Sequence, residues 1–184
     1  MVTATVRSAA TPGRSVPWQV RGFTMVELMV TLVVLAVMLA IAAPGLATFV
    51  NNSRLRATQG ELMSALTLAR SEATKRGAMV VVEALAPVVG KEFSGGWRVF
   101  VDLNDNGVRD VDEAEVRRYP ALAGNQRFAT VSGVSNATFN PRGFLKASAR
   151  VEFTLCGQAG QDKGYRIKLE PVGLADVTEE RTCS

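Results

Sequence analysis

The chain has 184 residues, 21 of them Lys or Arg and 17 Asp or Glu, with two cysteines and no histidine. A zinc centre or a Cys–His nucleophile therefore lacks its usual parts, and acid–base chemistry would fall to carboxylates or lysine. The formal charge of +4 is misleading. Arg7, Arg14 and Arg21 occupy an N-terminal stretch without an acid, and the rest is close to neutral, which argues little for nucleic acid.

From Phe23 to Ala43 the only charged residue is Glu27. A helix of that length spans roughly 30 Å, about one hydrocarbon thickness, so this segment is expected to cross a membrane. A carboxylate inside such a segment costs on the order of 3 kcal/mol, less toward the end. Glu27 should therefore be answered by a cation, and no Lys or Arg in the segment supplies one. A secretory signal fits poorly, because it would carry a shorter apolar core followed by small residues at a cleavage site.

The run Arg21-Gly22-Phe23-Thr24-Met25-Val26-Glu27-Leu28 resembles the processing site of type IV prepilins and type II secretion pseudopilins. The resemblance implies that a prepilin peptidase cuts between Gly22 and Phe23, removes a leader of residues 1–22 and methylates the new amine of Phe23. It also implies that Glu27, fifth in the mature chain, pairs with such an amine on a neighbouring subunit. At 4 Å and an effective dielectric near 20 that attraction is about 4 kcal/mol, comparable with the burial cost, so Glu27 is expected to pin the register of assembly. Pro44 falls where many members of the family carry a helix-loosening proline.

Pro44-Gly45 interrupts the helix signal, yet helical periodicity resumes at once. Leu55, Leu62, Leu66, Ala69 and Ala73 fall on one apolar stripe, with Glu72 and Arg76 as an i,i+4 pair and Gly77 as a C-terminal stop. Residues 51–77 are thus expected to continue the helix of 23–50 as an amphipathic half. The segments Asn52-x-Arg54-Leu55-Arg56 and Ala69-Arg70-Ser71-Glu72-Ala73-x-Lys75-Arg76-Gly77 are similar to those of the GspH/FimT subgroup of minor pilins and pseudopilins.

Beyond Ala78 the pattern turns to short β-branched and alternating runs. Strands are expected at Met79–Leu85, Gly96–Asp102, Glu115–Tyr119, Gln126–Val131, Ala137–Asn140, Arg150–Leu155 and Tyr165–Glu170. Phe139-Asn140-Pro141-Arg142-Gly143 again resembles the subgroup. The expected fold is α+β and pilin-like: a long N-terminal helix packed on an antiparallel β-sheet domain, residues 78–184. Cys156 and Cys183 lie in the last thirty residues, and a disulfide in an oxidising compartment is favoured over two free thiols.

Two further sites invite a ligand. Asp102, Asn104, Asn106 and Glu113 satisfy the calcium-loop spacing D-x-[DN]-x-[DN]-G-x5-E. An EF-hand needs a helix on each side, however, and here a strand precedes the loop. Asn106-Gly107 is a hairpin signal of its own, so a polar hairpin is the preferred reading and no cofactor is expected. Arg142, Lys146 and Arg150 form a loose basic cluster, which a solvated loop explains as well as DNA does. Some members of the subgroup act in DNA uptake, but the Gly-Arg-x-Arg run associated with it has no counterpart in Gly173-Leu174-Ala175-Asp176, and Asp176, Glu179 and Glu180 would repel phosphate. Carboxylates such as Asp110 and Asp112 sit in an expected turn and suggest no enzyme. The resemblance implies a single-pass inner-membrane protein with its C-terminal domain in the periplasm, held in lipid before assembly and served by a membrane assembly platform. It then implies a place among other pilins near a fibre tip.

Overall fold

The computed structural model describes residues 22–88, 92–124, 126–131, 133–157 and 163–180. Helix α1 runs from Met25 to Arg76. Its first turn is set by Thr24, whose hydroxyl accepts the Glu27 N–H at 3.2 Å while its carbonyl accepts Leu28 N–H at 3.1 Å. That is the N-cap geometry a Thr-x-x-Glu sequence favours. The helix ends at Gly77, whose N–H bonds to the Ala73 carbonyl at φ +65°, a backbone region that costs glycine little.

Between Ala43 and Pro44 the chain divides into two units. In the first, the helix is exposed along its whole length, and α1 is the described helix long and apolar enough to cross a membrane, with mean hydropathy 2.6 over its most apolar window. In the second, the helix has an inside and an outside. Leu55, Leu62, Leu66, Ala69 and Ala73, the predicted stripe, are all buried, joined by Thr58 and Ala65. Glu72 and Arg76 pair on the outer face.

The stripe packs on strands arranged in two four-stranded antiparallel sheets. The first contains β1 (Met79–Ala84), β2 (Trp97–Asp102), β3 (Glu115–Tyr119) and β5 (Asn136–Phe139) in the order β3-β2-β1-β5. The second contains β4 (Arg127–Thr130), β6 (Val151–Cys156), β7 (Gly164–Leu169) and β8 (Ala175–Glu180) in the order β4-β6-β7-β8. Both sheets contribute aromatic rings to one core: Trp97 meets Phe128 edge-on at 5.6 Å, and Phe93 meets Phe153 at 5.2 Å and 84°. The inward positions of β2, Trp97, Val99 and Val101, belong to this core, as their alternation predicts.

One feature differs from the sequence expectation: strand β8 lies beyond Tyr165–Glu170, the last strand expected. It is an edge strand whose inner positions, Ala175 and Val177, pack on the core, while Asp176 is exposed and Glu179 and Glu180 pair with Lys163 and Arg166. The polar segment that holds Asn106-Gly107 joins two antiparallel strands, as the sequence places it: β2 ends at Asp102 and β3 begins at Glu115, with an ordered loop between them.

Candidate functional site

The residues singled out at the N-terminal end of α1 are accessible. Gly22, Phe23 and Thr24 lie outside the helix and are exposed, and a side chain built at Gly22 would meet nothing within 4 Å. Gly22, Phe23, Thr24 and Glu27 line a shallow concavity of about 370 Å³. Glu27 sits in the first turn, where the partial positive charge of the helix terminus favours an acid. Its carboxylate has no hydrogen bond or ion pair among the described residues, so it is free to take a cation from outside. Pro44 lies within α1 at the point where the two units divide.

A second cluster clamps the helix to the sheets. Arg70 runs alongside two turns, Asn140–Phe144 and Glu170–Leu174. A Cβ on Gly143 would come within 3.2 Å of Arg70 Nε and 3.1 Å of Thr74 Cγ2. A Cβ on Gly173 would come within 2.1 Å of the Gly143 carbonyl oxygen. Asn140 holds the first turn with its side-chain oxygen, which accepts the N–H groups of Arg142 and Phe144 at 2.9 and 3.1 Å. The two turns are joined by the Leu145 N–H, which donates to the Pro171 carbonyl at 2.9 Å. The helix segment and the Asn-Pro-Arg-Gly turn that separately resembled one subgroup thus meet in space. Gly173, compared above only with a DNA-contact motif, is a packing glycine.

The loop between β2 and β3 is wrapped round two buried carboxylates. Asp102 accepts the N–H groups of Asn106 and Gly107 at 3.2 and 2.9 Å. Glu113 accepts those of Leu103 and Asp110 at 2.8 and 3.0 Å. Asn104 and Asn106 both donate their side-chain amides to Asp110, at 2.7 and 3.0 Å. All four candidate calcium ligands therefore already serve the loop's own polar groups. No group of three His, Cys, Asp or Glu among the described residues is placed to hold a metal ion. Asp110 is the member that the motif spacing alone did not single out. Its part shows only once both asparagine amides are seen to converge on it.

The three basic candidates do not form one open patch. Lys146 is bound to Asp105 at 2.5 Å, and Arg150 lies 3.8 Å from both Glu152 and Glu170. Arg142 is exposed with no ion pair among the described residues. Cys156 is disulfide-bonded, and Cys183 lies outside the described residues.

Comparison with known proteins bears on the family and the fold. The profile of "Type II transport protein GspH" matches residues 58–173, and that of the prokaryotic N-terminal methylation motif matches residues 19–43. The type IV minor pilin FimU of Pseudomonas aeruginosa is 20% identical, with a TM-score of 0.60 over 74% of this chain and 99% of that one. A second crystal form of the same pilin gives 0.55 over 71% of this chain and 100% of that one, again at 20% identity. The minor pseudopilin EpsH from the type 2 secretion system of Vibrio cholerae is 12% identical, with a TM-score of 0.52 over 68% and 96%. At these identities the likeness is one of fold. No curated protein sequence matches the chain.

Proposed function

The chain belongs to the GspH family of minor pilins and pseudopilins, structural subunits rather than enzymes, and from that premise we propose that it is inserted in the inner membrane, cut between Gly22 and Phe23, and built into a type IV pilus or type II secretion pseudopilus whose assembly it helps to start. The leader is residues 1–22, and Phe23 provides the new, methylated amine. The β-rich domain stands in the periplasm until the subunit enters the fibre, near its tip. Its partners are other pilins or pseudopilins, the prepilin peptidase and the inner-membrane assembly platform.

One observation carries the reading: an apolar helix exposed over its whole first unit bears a single unpaired acid one turn after an exposed Gly-Phe bond. An exposed apolar surface of that length has two stable surroundings, lipid or other such helices. The carboxylate decides between them, because lipid tails offer it nothing and a neighbour's terminal amine offers an ion pair. Replacing Glu27 with Ala should leave membrane insertion intact or improved while incorporation into the fibre falls by an order of magnitude. Immunoblots of sheared fibres against membranes would measure it, and normal incorporation of the variant would remove the pairing role.

The β2–β3 loop works, in this reading, as a cation-independent clamp, since its carboxylates are satisfied by backbone amides. The DNA-uptake alternative has little to recommend it, because two of its three cations face carboxylates.

A further inference from the structure

Where the apolar part of α1 gives out, two cations stand unanswered. Arg54 and Arg56 are both exposed, and neither makes a hydrogen bond or ion pair among the described residues. From Leu28 to Gly60 the sequence holds no Asp or Glu. Elsewhere on the surface cations commonly sit against acids, as Arg118 does with Glu115 and Lys163 with Glu179.

Their position along the helix supplies the missing anion. From Leu28 to Val50 no residue is charged, a stretch about 34 Å long at 1.5 Å per residue, enough to cross a hydrocarbon layer of roughly 30 Å with slight tilt. Asn51, Asn52 and Ser53 follow, and then Arg54 and Arg56, the first charges after the apolar stretch, which fall at the level of the headgroup phosphates when that stretch lies in lipid. They are two residues apart, about 200° round the helix. Leu55 between them is buried in the domain, so one guanidinium emerges on either side of the packed stripe. Such a pair cannot share one phosphate, but it suits a surface with lipid on both sides.

We infer that Arg54 and Arg56 bind the headgroup phosphates of anionic phospholipids in the leaflet facing the globular domain, and so hold the unassembled subunit at a fixed depth. The inference rests on the membrane reading proposed above. Surface attraction of this kind is worth roughly fivefold per arginine, strong enough to set depth and weak enough to be surrendered when the subunit is drawn into a fibre.

The test uses the full chain in mixed phosphatidylglycerol–phosphatidylcholine vesicles. Resistance to carbonate extraction reports insertion, and native mass spectrometry of the released protein counts the lipids that stay bound. Phosphatidylglycerol should be retained in excess over phosphatidylcholine. R54Q/R56Q should cut that excess roughly thirtyfold, R54K/R56K should keep most of it, and R142Q should leave it unchanged. An inserted wild-type protein with no preference between the lipids, or an inserted R54Q/R56Q variant with the preference intact, overturns the inference and leaves the arginines to acidic side chains of neighbouring subunits. Wild-type protein that carbonate strips from the vesicle overturns the membrane reading itself.

Discussion

Glu27 and Gly173 illustrate how differently a single residue can matter. Among the described residues Glu27 touches little beyond the capped first turn, and the role proposed for it depends on a partner outside them. Gly173 is the reverse. It sits at φ +78° with no room for a Cβ, because the Gly143 carbonyl would be 2.1 Å away. Gly77 has a similar φ of +65° but open space around it. Gly77→Ala should therefore cost only the left-handed backbone penalty, about 1–2 kcal/mol. Gly173→Ala should cost more, since a backbone carbonyl must also move and the Arg70 clamp opens. Urea unfolding of the two purified variants compares them directly, and equal losses would mean that the close approach is not what selects glycine.

At the scale of elements, one helix serves two surroundings. Leu62 is fully buried against the sheets, whereas Leu32 lies in the exposed apolar half. Leu62→Ala should destabilise the globular unit by about 2–5 kcal/mol, while Leu32→Ala should leave its unfolding midpoint unchanged in detergent. Strand β3 carries a pH dependence of its own. Two hydrogen bonds from Arg118, at 2.8 and 2.7 Å, hold the Glu115 carboxyl below its ordinary value of 4.5, against a smaller opposing effect of burial. Glu72 is lowered in the same way by Arg76. A depressed folded-state pKa means that the stabilisation is whole above the unfolded value and fades as pH falls through the folded one. Glu115→Gln should therefore lower the melting temperature slightly at pH 7, where the pair is intact, and converge with the parent as pH falls below about 4.5, so that its acid limb is flatter. A variant with an unaltered acid limb would show that the pair contributes nothing measurable, the usual fate of exposed ion pairs.

For the whole molecule, the β2–β3 loop decides whether a cation belongs to the structure. With Asp102 and Glu113 occupied by four backbone N–H groups, calcium or a chelator should leave the melting temperature of the purified protein unchanged within error. A calcium-dependent rise of several degrees would restore the loop to the calcium class.

Much of this was legible in the residues themselves. The membrane-length apolar run, the lone acid, the helix stripe from Leu55 to Ala73 and seven strands follow from periodicity and residue type, which act locally. The Thr24 cap is also written locally, as Thr-x-x-Glu before an apolar run. Other features depended on distance in space. β8 is a strand because β7 offers it a partner, an arrangement that a half-polar edge sequence cannot announce. Arg70 becomes a clamp only when two glycine turns, thirty residues apart, fold against it. The calcium-like spacing resolves into amide-bound carboxylates only when the loop closes on itself. Local pattern thus determined what each segment is. Which groups satisfy one another was decided by the tertiary structure, because a buried polar atom takes the partner that packing brings within 3 Å.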